Sequence, residues 1–236
     1  MLFIDSRLKK TNIKGKGIGF IAKENIPANI IILREKPDFY LEINENTISD
    51  IFELLYKIFT SKDKTKIDRF LDLTPCTIHN FPHYFNKTLE ELDKLKNTKL
   101  NYIYEFFKNN YNHDEITLFC VKYMCNAFEF DNACSILYTG RIFNHSCLPN
   151  IIFYRVDNMM YFMTIIDIKK GQELVDNYVD IVQNKKIRQD RLLNQYGFIC
   201  SCVRCSNNNN KYDNCAKRIN NTKIKLKTSH NNNNRL

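Results

Sequence analysis

The chain has 236 residues, 44% of them hydrophobic, and a formal net charge of +9 at neutral pH. That is enough apolar material for one substantial core, and there is no run of about 18 apolar residues that would span a bilayer. The N-terminus MLFIDSRLKK lacks the apolar stretch and small-residue cleavage site of a secretory signal. These features predict a soluble, monomeric, intracellular protein, nuclear or cytoplasmic or both, without membrane association.

The charge is unevenly placed. Residues 206–236 carry seven Lys or Arg against one Asp, so the remainder is only weakly basic and does not specify a nucleic-acid partner. The same stretch holds two runs of four asparagines and few apolar residues, which predicts a disordered Asn/Lys-rich tail over 207–236. A nucleic-acid contact through that tail would weaken steeply with salt.

In chain order, 18–22 and 29–34 read as two short strands around the turn-prone Asn25-Ile26-Pro27-Ala28. From 47 to 60 the period becomes helical, with Ile48, Ile51, Phe52, Leu55, Ile58 and Phe59 on one face. A second helix is predicted to start near Thr88, with Glu91 three residues on, and a third at Asp114 ahead of Ile116, Phe119, Cys120 and Tyr123. After residue 135 the strand pattern returns, with 151–156 and 160–166 forming a hairpin around Asp157-Asn158. No internal repeat is present.

Nine cysteines in a reducing compartment point to buried thiols and metal ligands rather than disulfides. Cys200, Cys202 and Cys205 fall within six residues, close enough for one loop to aim them at one ion. A structural zinc takes four ligands, and the candidate for the fourth is Cys147, in the polar turn Asn144-His145-Ser146-Cys147. The competing reading is three inert thiols in a loop. His79 and His83 have helical spacing, but Pro82 between them breaks the helix that this spacing needs. Cys76, Cys120, Cys125 and Cys134 lie in or beside apolar segments and read as small core residues. Cys215, in the tail, has no close cysteine neighbour.

Four segments in order resemble one family. Gly15-Lys16-Gly17-Ile18-Gly19-Phe20 resembles the GxG segment that opens a SET domain, and 141–150, RIFNHSCLPN, resembles its NHSC motif. Gly171-Gln172-Glu173-Leu174 through Tyr178 is similar to GEEL followed by the catalytic tyrosine, and 200–205 matches the post-SET CxCxxC. A helical block between the SET halves, and Asn194-Gln195-Tyr196-Gly197-Phe198 before the cysteines, resemble the SET-and-MYND (SMYD) branch of protein-lysine methyltransferases. The resemblance spans about residues 10–205. It departs where the MYND finger is expected, since 35–119 hold only Cys76, and at Leu148 and Gln172, where aspartate and glutamate are usual.

The resemblance implies a mainly β SET (β-clip) fold with an α insertion: short sheets around a threaded NHSC segment, plus a zinc-bound post-SET loop. The implied divisions are 1–45 and 126–180 for the SET halves, 46–125 for the helical insertion, 181–206 for the zinc region and 207–236 for the tail. It further implies binding of S-adenosylmethionine by Lys16, Gly17, Ile18, Asn126, Asn144, His145, Tyr178 and Phe198, with Tyr178 catalytic. Tyr178 and Tyr196 would line the substrate channel, and structural Zn2+ would sit on Cys147, Cys200, Cys202 and Cys205. The implied partner is a protein with an exposed lysine, histone tails first. Methyl transfer from a sulfonium to an amine is an in-line displacement, so alignment and oxygen acceptors around the methyl are the enzyme's main contributions. The intact Tyr178 and NHSC segment favour an enzyme. Leu148 and the missing finger leave a catalytically silent scaffold that binds a protein or peptide as the competing function.

Overall fold

The structure is a computed structural model, and it describes residues 2–42, 50–130 and 133–206. The residues beyond 206, including the tail and Cys215, lie outside the described residues. Among the described residues no helix is long and apolar enough to cross a membrane.

The first half contributes β1 (Leu2–Ile4), β2 (Leu8–Ile13), β3 (Gly17–Ala22), β4 (Ile31–Glu35) and β5 (Tyr40–Glu42). A helical block follows: α1 (Asp50–Phe59), α2 (Lys64–Leu71), α3 (Tyr84–Asp93), α4 (Asn101–Asn110) and α5 (His113–Asn126). The second half contains β6 (Ala127–Phe130), β7 (Ala133–Ile136), β8 (Asn144–His145), β9 (Ile151–Val156), β10 (Met159–Thr164) and β11 (Glu173–Asp176). The chain then runs through α6 (Lys185–Tyr196) to the short α7 (Val203–Ser206).

Among the described residues three small sheets result, in the orders β1-β4-β10-β9, β2-β3-β11-β8 and β5-β7-β6. Both SET halves contribute to each, so neither half can form its sheets alone. The β9–β10 hairpin turns at Asp157, whose φ of +53° is the left-handed geometry that an aspartate tolerates in a two-residue turn. Along β10 alternate residues are buried, which puts Met160, Phe162 and Thr164 inside. Their core also holds Phe20, Ile32, Leu33, Phe143 and Leu174.

The helical block has its own core around Phe52, Leu55, Phe70, Phe107 and Phe119. Helix α3 begins at Tyr84, four residues before the predicted start, and Thr88 is buried inside it rather than capping it. The real capping box belongs to α5: the Asn112 side chain accepts the Glu115 N–H, and the Glu115 carboxylate accepts the Asn112 N–H. Helices α2 and α4 were not among the expected elements, although Ile67, Phe70 and Leu71 in the first and Ile103, Phe106 and Phe107 in the second recur at helical spacing. Cys120 and Cys134 are buried, but Cys76 is exposed and so does not belong to the core. Lys122 is buried in α5, and its ammonium donates to the carbonyls of Leu71 and Leu73, satisfying the end of α2.

Candidate active site

Two buried devices position the NHSC segment. Glu35, at the end of β4, accepts the backbone N–H groups of Thr139 and Gly140, at 3.0 and 2.8 Å, and so caps the 3-10 turn that leads into Phe143. Burial raises its carboxyl above the usual range, while these bonds act in the opposite direction. Gly140 is then obligatory, because a Cβ there would come within 2.5 Å of the Phe162 ring. Beyond the turn, β8 runs parallel to β11, with Asn144 opposite Val175 and His145 opposite Asp176. Asn150 closes the segment by donating to the Glu173 carbonyl at 2.8 Å and accepting the Val175 N–H at 2.7 Å.

This threading brings Tyr178 to His145. The Tyr178 backbone N–H donates to His145 Nδ1 at 3.0 Å, so Nδ1 is unprotonated. Burial lowers the imidazole to about 4, so the ring is neutral at physiological pH. Its proton therefore sits on Nε2, 3.3 Å from Cys147 Sγ. The Tyr178 hydroxyl donates to the Phe143 carbonyl at 2.8 Å, and burial pushes the phenol well above its ordinary value. It remains a protonated hydroxyl with a free lone pair. Tyr196 packs at 5.0 Å between ring centroids and donates to the Tyr178 carbonyl at 3.4 Å.

On one side of this pair lies the glycine segment. Glu173 joins it to the NHSC segment: Oε2 pairs with Lys16 Nζ at 2.6 Å, and Oε1 accepts from the Asn144 amide at 2.9 Å. The Asn144 amide also reaches the Ile18 carbonyl at 3.4 Å. A Cβ on Gly19 would lie 2.5 Å from that amide nitrogen, so glycine is what lets β3 and β8 approach. Gly17 has a φ of +78°, with open space where a Cβ would point. Phe198 completes this side, its ring 6.1 Å from that of His145.

On the other side is a cavity of about 770 Å3 between α1, α3, α5, β6 and the 176–180 segment. Asn126, Tyr178 and Tyr196 line it, whereas Lys16, Gly17, Ile18, Asn144, His145 and Phe198 do not. The residues proposed for cofactor binding are therefore not gathered in one cavity, and Tyr178 stands between the two regions. The amide nitrogen of Asn126 donates to the carbonyls of Thr74 and Lys122, at 2.6 and 2.8 Å, which ties the end of α5 to the 71–75 loop. His83 is exposed, and its Nε2 lies 3.1 Å from the Asn194 carbonyl.

The ligand atoms of Cys147, Cys200, Cys202 and Cys205 all lie within 4.8 Å of one another. Four sulfurs about 2.3 Å from one zinc would stand about 3.8 Å apart, so the cluster fits a tetrahedral ion with small adjustment. The loop carrying three of them is held by Gln189, whose side chain accepts the Cys200 N–H and donates to the Cys200 carbonyl. Arg188, fully buried in α6, donates through Nε to Cys147 Sγ at 3.2 Å, and its NH2 lies 3.9 Å from Cys205 Sγ. A zinc with four thiolates is a dianion, and the buried guanidinium offsets part of that charge.

Several of these partners carried no role in the sequence reading. Glu173 and Gly19 sit inside quoted motifs, so their positions were visible and their coupling was not. Asp176 falls at a position of the 171–178 segment that was given no role, and Arg188 lies outside every quoted motif.

Small sheets built from both chain halves, a threaded NHSC segment and an adjoining four-cysteine cluster define the SET domain class. The SET domain family model matches residues 17–179, and the chain belongs to that family. A SET domain-containing protein of Acanthamoeba polyphaga mimivirus is 49% identical over 202 residues, covering 85% of this chain and 78% of the relative. N-lysine methyltransferase SMYD2-A of Xenopus laevis is 24% identical over 155 residues, covering 62% of this chain and 36% of the relative. Human SMYD2 is 27% identical over 131 residues, covering 49% and 30%. The chain thus spans about a third of the length of the SMYD2 relatives it matches. In structure it resembles the SET domain of LSMT bound to lysine and AdoHcy, with a TM-score of 0.58, 14% identity, and coverage of 83% of this chain and 53% of that one. These relatives agree with the SET-and-MYND resemblance and with the expected fold.

Proposed function

We propose that this chain transfers a methyl group from S-adenosylmethionine to the ε-amine of a protein lysine. The observation that carries the reading is the placement of Tyr178, anchored through His145 and Phe143 between the glycine segment and the cavity. The N-lysine methyltransferase relatives and the AdoHcy-bound fold neighbour support it.

Bound at the glycine segment, S-adenosylmethionine would supply an electrophilic methyl on a sulfonium. Lys16, Gly17, Ile18, Asn144, His145 and Phe198 are the residues for it, with Tyr178 and Asn126 toward the cavity. The open side of the left-handed Gly17 turn and the polar edge formed by Asn144 suit a charged amino-acid moiety. The Tyr178 hydroxyl is an oxygen acceptor for the polarised methyl, which a protonated phenol committed to the Phe143 carbonyl can be without ionising. Tyr178 and Tyr196 wall the path of the lysine, and their apolar rings disfavour the charged ammonium relative to the neutral amine that attacks. The four-cysteine cluster takes a structural zinc that fixes the loop carrying Phe198 against His145.

The substrate is a protein lysine, with histone tails first among candidates. The test is incubation with methyl-labelled S-adenosylmethionine and, separately, core histones and a whole-cell extract. Label in protein, stable to base and recovered as methyl-lysine, is expected. Cofactor binding without label on any substrate would favour the silent scaffold instead.

A further inference from the structure

Residues 1–205 carry a net charge of +3, yet residues 6–23 alone hold six Lys or Arg and no Asp or Glu, so everything else in that span sums to −3. The positive pole is one hairpin, β2 and β3 with the turn between them. Strand β2 is the free edge of its sheet, paired only with β3.

Two of the six cations are neutralised: Arg7 by Asp5 at 2.7 Å and Lys16 by Glu173 at 2.6 Å. Lys23 stands next to the exposed Glu24 and acts on the charge of Asp5. Lys9, Lys10 and Lys14 are exposed and form no ion pair or side-chain hydrogen bond among the described residues. Alternation along β2 sends Lys9 and Lys10 to opposite faces, and Lys14 stands at the turn, so three ammonium groups surround the free edge.

Lysines on an edge strand also discourage pairing with another chain. The two edges of the other four-stranded sheet do without them: β1 and β9 carry between them one cation, Arg155, which donates to the Tyr40 hydroxyl. Edge protection therefore does not account for the concentration of charge on β2. The one large apolar side chain exposed on the hairpin is Ile18, so the surface lacks both the aromatic anchor of a protein interface and the apolar face of a membrane-binding element. A polyanion fits it best.

We propose that the β2–β3 hairpin is a contact surface for the phosphate backbone of duplex nucleic acid, with Lys9, Lys10 and Lys14 as its phosphate contacts. Compact ammonium groups on flexible stems neutralise phosphates without reading bases, so the binding is independent of sequence. The acidic remainder of the 1–205 span is repelled by the same phosphates, which orients the chain with this edge leading. None of this depends on the methyltransferase reading.

The test is fluorescence anisotropy of a labelled, mixed-sequence DNA duplex titrated with the full chain over a series of salt concentrations. Three proteins are compared: the wild type, a variant with Lys9→Gln, Lys10→Gln and Lys14→Gln, and one with Lys9→Arg, Lys10→Arg and Lys14→Arg. All keep Lys16 and the basic residues beyond 206, so any difference belongs to the hairpin. Each phosphate contact adds about 0.9 to the slope of log affinity against log salt, so the Gln variant should lose about 2 to 3 of that slope and the Arg variant should keep it. The melting temperature should not change, because the three side chains have no partners to lose. A wild type that does not bind, an unchanged slope in the Gln variant, or an equal loss in the Arg variant would overturn the proposal. Tighter wild-type binding to polyglutamate or to phosphatidylserine vesicles than to the duplex at the same salt would also overturn it, and would assign the surface to an acidic protein or to a membrane.

Discussion

Tyr178 is held by His145 through a 3.0 Å bond from its backbone N–H to the imidazole Nδ1, so the NHSC segment positions the tyrosine through its main chain as well as its ring. Replacing His145 by Ala orphans that buried N–H, at a cost of about 1–3 kcal/mol. Thermal unfolding should shift down accordingly, and methyl transfer should fall further than stability because Tyr178 is no longer fixed. An unchanged melting temperature would show that the bond contributes nothing.

Gly19 and Gly140 should fail in different ways when changed to Ala. At Gly19 the new Cβ meets the Asn144 amide at 2.5 Å, so S-adenosylmethionine affinity by calorimetry should drop about tenfold, the effect of one lost hydrogen bond to a charged group, with a modest change in stability. At Gly140 the Cβ meets the Phe162 ring inside the core, and overpacking of this kind costs about 1–3 kcal/mol. Equal loss of stability in the two variants would contradict this division.

The metal cluster predicts one zinc per chain by elemental analysis. Cys202→Ser should lower both zinc content and activity, and full activity without zinc would count against a role for the ion. Arg188→Leu keeps all four thiols but removes the guanidinium from Cys147 Sγ. Zinc should then pass to a competing chelator at least about tenfold faster, in line with the 10- to 100-fold effect of losing a ligand's hydrogen-bond partner.

Burial raises the Asp176 carboxyl from 3.8 to about 7. In the unfolded chain the group ionises near its ordinary value, so between about pH 4 and 7 the folded protein binds the extra proton. Stability from this group is therefore full below pH 4 and declines as pH rises to 7. Asp176→Asn lacks that decline. Its melting temperature should rise relative to wild type between pH 5 and pH 8, and a constant difference would rule out the buried carboxyl as the cause.

What the sequence made legible was local. The β9–β10 hairpin announces itself through alternation and a two-residue turn, and RIFNHSC, GQEL and CxCxxC mark the site because their chemistry lies in short spacings. Helix α3 was misplaced because Thr88 and Glu91 imitate a capping box, while packing against α5 carries the helix back to Tyr84. Helix α2 is short, and its Asp63 cap and the helical spacing of Ile67, Phe70 and Leu71 were passed over beside the longer apolar face of α1. The buried charges were hidden for a different reason. Lys122, Asp176 and Arg188 look like ordinary surface residues in the chain, and only contacts between distant segments put them inside.

The most direct measurement is methyl transfer from labelled S-adenosylmethionine to core histones and a whole-cell extract, comparing wild type with Tyr178→Phe. The variant loses the bond to the Phe143 carbonyl, worth about 1 kcal/mol, and should still fold. Incorporation by the wild type that falls at least about tenfold in the folded variant, the scale of an oxygen acceptor lost at the reacting centre, is the predicted result. Equal incorporation by both would contradict the catalytic placement of Tyr178.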